Sequence, residues 1–127
     1  MKVIALSYAS RDFLGYQRIW ELTARRAGFD EVLTHGRGDL GSDFAALHAE
    51  TLAEPRGDGC WLWKPYLVAR ALETADDGDV VFYSDVTSQF VGSIDPVLSL
   101  MEDSGLERCR YHNLAGGIVA LHIGYRL

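Results

Sequence analysis

Three short runs of apolar residues are set apart from longer stretches in which apolar positions recur every three or four residues. The runs Val3 to Ser7 and Val80 to Ser84 have the length and apolar content of buried strands, and Glu31 to Thr34 reads as a second short strand between them. Between the first two, Phe13, Tyr16, Trp20, Ala24 and Ala27 fall on one helical face. Arg25 and Arg26 fill the last turn of that helix, and Gly28 stands where a left-handed C-terminal cap is expected. Ser42 is placed to cap a second helix, with Phe44, Leu47, His48, Thr51 and Leu52 as its inner face. Pro65 suits the first turn of a third helix, which runs to about Ala75, because the missing N–H has no partner to lose there. Asp95-Pro96 reads as a cap and first residue of a fourth. Its inner face is Val97, Leu98 and Met101, and Gly105 ends it. The tail RCRYHNLAGGIVALHIGYRL is expected to add one or two strands.

The order β-α-β-α-α-β-α predicts an α/β class with a mostly parallel sheet and flanking helices. Such sheets bind ligands beyond the carboxyl ends of their strands. Ser7-Tyr8-Ala9-Ser10 after the first strand and Ser84-Asp85-Val86-Thr87 after the third meet that condition. A chain of 127 residues, 48% apolar and 24% charged, suits one α/β domain over 1–127. The net charge of −6 argues against nucleic acid as a partner. Two distant cysteines, Cys60 and Cys109, give no zinc or disulfide framework, so a reducing, cytoplasmic setting is expected. The first apolar run is too short to span a membrane.

Several chemistries lack their motif. The turn after the first strand holds no GxGxxG, and the chain has no GxxxxGK[ST] and no GxSxG. His35 and His112 are expected in loops and His122 in a late strand. His48 lies on an apolar helix face with no second ligand four residues on. Asp85 is open to several roles: a loop or capping acid, a hard oxygen ligand for Mg²⁺ or Mn²⁺, or an acceptor for a ribose hydroxyl. In GCWLWKPYLVARAL, Trp61 and Trp63 suit either a wedge between helix and sheet or a stacking surface. Lys64, just before a helix start, suits an anion or a nearby acid equally well.

Three segments in order, GCWLWKPYLVARAL, DGDVVFYSDV and SIDPVLSLMEDSG, resemble the N-terminal half of GT-A-type glycosyltransferases that build bacterial polysaccharides. VIALSYASRDF and AGFDEVLTHG are similar to the first βαβ of that family, so the likeness covers about residues 1–105 and leaves 106–127 unassigned. The resemblance implies a GT-A, Rossmann-like nucleotide-binding half and transfer of a sugar to a glycan or glycolipid hydroxyl. It implies a nucleotide-diphospho-sugar donor held by Ser7, Tyr8, Lys64 and Asp85, with Asp85 binding Mn²⁺ or Mg²⁺; it assigns no catalytic residue. A complete DxD would place an acid at position 87, where this chain has Thr87. The chain is also about half the usual length of such a domain. The alternative expectation is therefore a non-catalytic nucleotide-sugar-binding domain or an inactive remnant.

Overall fold

The computed structural model describes residues 1–103, together with the backbone of strands 111–114 and 119–125. Five strands form one sheet in the order β2-β1-β3-β5-β4. They are β1 (Val3–Tyr8), β2 (Glu31–His35), β3 (Val80–Tyr83), β4 (Tyr111–Leu114) and β5 (Val119–Tyr125). β1 runs parallel to β2, pairing Ile4 with Glu31 through Tyr8 with His35, and parallel to β3, pairing Val3 with Val80 through Leu6 with Tyr83. The three apolar runs therefore lie side by side in a parallel unit, as their composition predicted. The tail supplies an antiparallel hairpin, with β5 inserted against β3 and β4 at the edge. His112 thus belongs to a strand, not to a loop, and so does His35 at the end of β2.

Side chains of β1 alternate between two helical layers. Ile4, Leu6 and Tyr8 meet Leu52, Trp63, Leu67 and Ala71 on one face. Val3 and Ala5 meet Trp20, Ala24, Ala27, Ile94 and Met101 on the other. The second layer comprises α1 (Leu14–Ala27) and α6 (Asp95–Asp103). α1 ends on Gly28 at φ 96°, the left-handed geometry that glycine adopts without a Cβ penalty. Trp20 Nε1 donates to Ser84 Oγ at 2.7 Å, which ties α1 to the end of β3, and the Ile94 amide donates to the Ala27 carbonyl at 2.8 Å, which ties the start of α6 to the end of α1. Asp95 is the first residue of α6, one position later than a capping role requires; the Gly105 boundary lies outside the described residues.

The first layer is less regular than its apolar spacing suggests. The expected helix from Ser42 is split at His48 into α2 (Ser42–Leu47) and α3 (Ala49–Leu52). Ser42 is inside α2 and makes no capping bond; Gly41 precedes it, and Leu47 faces solvent at 80% exposure. α5 (Trp63–Thr74) buries Trp63, Leu67 and Ala71, one residue per turn, against β1 and β3.

Between α3 and α5, Gly57, Asp58, Gly59, Cys60 and Trp61 all have φ between 50° and 93°. The Cys60 amide reaches the Arg56 carbonyl, and the Trp61 amide reaches that of Gly57. These bonds close one left-handed helical turn, labelled α4 (Gly57–Cys60). L-residues avoid this geometry by about 1–2 kcal/mol each. The turn holds three of them, and the molecule offsets that cost through the contacts described below.

Candidate functional site: a cleft at the strand ends

From β1 the chain passes to β2 on one side, then returns to β3 on the other. The carboxyl ends of β1 and β3 therefore flank a topological switch point, where open α/β sheets leave a crevice. A cleft of about 220 Å³ opens there. Tyr8, Ser10 and Phe13 line it after β1, and Asp85, Val86 and Thr87 after β3. The left-handed turn adds Gly57, Asp58 and Trp61, and Trp63 completes the wall at the start of α5.

Two tyrosine–carboxylate–cation groups shape this cleft. In the first, Tyr8 stacks on Trp63 with ring centroids 3.9 Å apart and planes inclined by 14°. Its hydroxyl donates to the Asp58 carboxylate, and Arg37 Nη1 donates to the Asp58 carbonyl at 3.1 Å. Trp63 Nε1 donates to the Gly57 carbonyl at 3.0 Å, pinning the left-handed turn to the stack. In the second, Tyr83 donates to Asp85 Oδ1 at 2.6 Å. Lys64 Nζ lies 3.4 Å from the same oxygen and 4.8 Å above the Tyr83 ring. Burial pushes both tyrosine hydroxyls well above their ordinary pKa, and the neighbouring carboxylates add to the shift. Both phenols therefore remain donors through neutral pH, and each holds one carboxylate in place.

Of the residues singled out in the sequence, Tyr8 and Asp85 line the cleft. Ser7 does not line it. Strand alternation sends Ser7 to the opposite face from Tyr8, where it is fully buried and its Oγ has no hydrogen-bond partner among the described residues. Lys64 is taken up by Asp85, as its second reading allowed. Trp63 is buried and packs helix to sheet, whereas Trp61 is 45% exposed and serves as cleft wall. Asp58, Phe13 and Arg37 were not singled out. Asp58 sits in a GDG turn whose handedness has no apolar periodicity to announce it. His35 lies in a separate groove with Asp39, Tyr66 and Arg70, where burial lowers its pKa.

The geometry defines an α/β protein with an aromatic, carboxylate-bearing crevice at a switch point, the kind of place where nucleoside-like ligands bind. Comparison with known proteins gives a direction for its chemistry. Residues 74–126 match the ubiE/COQ5 methyltransferase family. The chain is 63% identical over 30 residues to the ubiquinone/menaquinone biosynthesis C-methyltransferase UbiE of Coxiella burnetii (strain Dugway 5J108-111), which is 24% of this chain and 12% of that protein. It is 52% identical over 33 residues to the enzyme of the same description from Stenotrophomonas maltophilia, covering 26% of this chain and 13% of the relative. For the Legionella pneumophila (strain Corby) enzyme the figures are 61% over 28 residues, 22% and 11%. The chain thus aligns with only about an eighth of these relatives' length, and residues 1–73 lie outside the family match. No solved structure matches.

These findings correct the glycosyltransferase reading. The similarity is to methyltransferases, and it includes the tail that the GT-A resemblance left unassigned. With that reading go the nucleotide-diphospho-sugar donor, the glycan or glycolipid acceptor, and the binding-domain or remnant alternative. The Mn²⁺ or Mg²⁺ expectation goes with them. Lys64 and Tyr83 both engage Asp85 Oδ1, and no group of three or more His, Cys, Asp or Glu side chains clusters among the described residues. No helix among the described residues is long and apolar enough to cross a membrane.

Proposed function

We propose that this chain binds S-adenosylmethionine in the cleft between the ends of β1 and β3 and takes part in C-methyl transfer to a quinone precursor. The observation that carries this reading is the family match over 74–126, which contains β3 and contributes Asp85, Val86 and Thr87 to the cleft. Residues 1–127 act in it as one domain, since the sheet runs without a break from β2 to β4. A cytoplasmic setting suits the exposed free thiol of Cys60.

The residues present fit such a cofactor. An adenine ring needs a flat apolar surface, and Trp61 with the Tyr8–Trp63 stack offers one. Ribose hydroxyls need acceptors, and Asp58 and Asp85 stand on opposite borders of the same space. A sulfonium is a cation, attracted by aromatic faces as quaternary ammonium ligands are. Bound, the cofactor supplies an electrophilic methyl group. The chain's own residues then bind, orient and exclude water: Tyr83 and Lys64 fix the Asp85 carboxylate, while Tyr8 and Arg37 fix Asp58.

Calorimetric titration with S-adenosylhomocysteine tests this reading. Saturable binding is expected. Asp85→Asn should weaken it roughly tenfold, about 1.4 kcal/mol, with an unchanged melting curve. Absence of heat at millimolar ligand, or equal affinity in the two proteins, would contradict it.

A further inference from the structure

α1 carries a second apolar surface that the core does not use. Trp20, Ala24 and Ala27 bury one side of the helix against the sheet. On the opposite side Leu14, Ile19 and Leu22 are each about half exposed. At about 100° per residue, Leu14, Arg25, Arg18, Leu22, Arg26 and Ile19 fall in that order within an arc of about 140°. An outward face of three large aliphatics with three arginines among them is unlike an ordinary solvated helix face, where apolar positions are few and charges are mixed.

The charge is also out of keeping with the chain. The protein has 18 acidic and 12 basic residues, yet residues 11–27 hold four arginines against two acids, Asp12 and Glu21. Glu21 is engaged by Arg25 at 2.7 Å. Arg11, Arg18 and Arg26 make no ion pair among the described residues. Lysine or arginine stems that lie along apolar side chains with their charges at the rim are the pattern of an interfacial helix.

We infer that the outer face of α1 docks the protein on an anionic lipid bilayer. The aliphatics enter the headgroup boundary, and the arginines meet lipid phosphates. Charge complementarity favours this occupant over a second copy of the chain, which is acidic overall but would present the same basic face in a symmetric pair. The position relative to the cleft fits as well. Phe13, just ahead of α1, lines the cleft, and its ring lies 5.7 Å from that of Tyr16 on the helix. The start of α1 therefore stands beside the cleft. Docking itself does not depend on the methyl-transfer reading, and its test does not involve the cofactor.

Flotation of the full chain with phosphatidylcholine vesicles, with and without phosphatidylglycerol, measures this. Binding is expected with the anionic vesicles alone, declining as salt rises. The pair Arg18→Glu and Arg26→Glu should reduce the bound fraction at least tenfold. Leu22→Gln with Ile19→Gln should do the same at unchanged net charge. All four positions are solvent-facing, and a far-ultraviolet melting curve confirms that each variant is folded. Absence of flotation with anionic vesicles overturns the proposal, as does equal flotation by the charge-reversed variant. A concentration-dependent dimer abolished by Leu22→Gln, without vesicle binding, would assign the face to a second copy instead.

Discussion

At the scale of single residues, the cleft depends on a few aromatic and carboxylate side chains whose roles differ from what their sequence neighbourhood suggests. Trp61 and Trp63 are two positions apart and both line the cleft, yet Trp61 is exposed and Trp63 is buried in the core. Trp63 stacks on Tyr8 and anchors the Gly57 carbonyl, so Trp63→Ala should cost about 3–5 kcal/mol in chemical denaturation. Trp61→Ala should barely move the midpoint and should act on ligand affinity, because Trp61 is exposed. The sequence could place both at a helix start but could not separate them. Trp61 closes the left-handed turn at φ 58°, whereas Trp63 begins α5. Asp79 makes a second residue-scale case. Its buried carboxylate accepts the Lys2 amide at 2.7 Å and the Asp76 amide at 3.1 Å, tying the starts of β1 and β3 together. These bonds, the Lys2 amide first, hold its pKa below the ordinary carboxylate value. The folded-state pKa is depressed, so its contribution is present above the unfolded value of about 3.9 and is lost as pH falls through the folded value. Asp79→Asn should therefore flatten the acid limb of stability against pH, measured by urea denaturation at stepped pH.

At the scale of elements, legibility follows hydrophobic period. β1 and β3 were readable to within about a residue because covered parallel strands are almost wholly apolar, and β2, a half-exposed edge strand, was readable from its short Val-Leu-Thr run after Gly28. α1 was readable because Arg25, Arg26 and Gly28 mark its end chemically as well as by period. The break at His48 was not, since Phe44, Leu47, His48, Thr51 and Leu52 keep helical spacing straight through it. The left-handed turn was not readable either: a conformation that costs energy locally is stabilised by distant partners, here Tyr8 and Arg37. Gly59 is the point where the turn meets neighbouring backbone. A Cβ there would lie 2.9 Å from Leu52 Cα, a backbone atom that cannot step aside, and φ is 93°. Gly59→Ala should destabilise the protein by about 1–3 kcal/mol and weaken ligand binding at the same time, since Asp58 and Trp61 flank it. Equal stability and affinity would show that the turn is not under strain.

At the scale of the whole molecule, the tail completes the sheet and lies within the family match. Its glycines and mixed polarity gave no clear period, so the sequence yielded one or two strands with no place in the sheet. The glycosyltransferase likeness covers residues 1–105 and so takes in only the first part of the region with the family match, 74–126. In the fold, β5 covers the flank of β3, whose four residues are all buried. A chain ending at Asp103 would leave that strand as a bare apolar edge. It should aggregate or unfold without a cooperative transition, as read by light scattering and thermal melts; a sharp transition at the full chain's midpoint would contradict this.

The central claim is that the crevice between β1 and β3 is the ligand site and that its ligand is an adenosyl sulfonium or its product. Amide chemical-shift mapping of the labelled protein during titration with S-adenosylhomocysteine tests it most directly. The predicted result is a set of shifts confined to residues 8–13, 57–63 and 84–87, saturating together. Shifts centred on the groove of His35 and Arg70, or no shifts at saturating ligand, would contradict it.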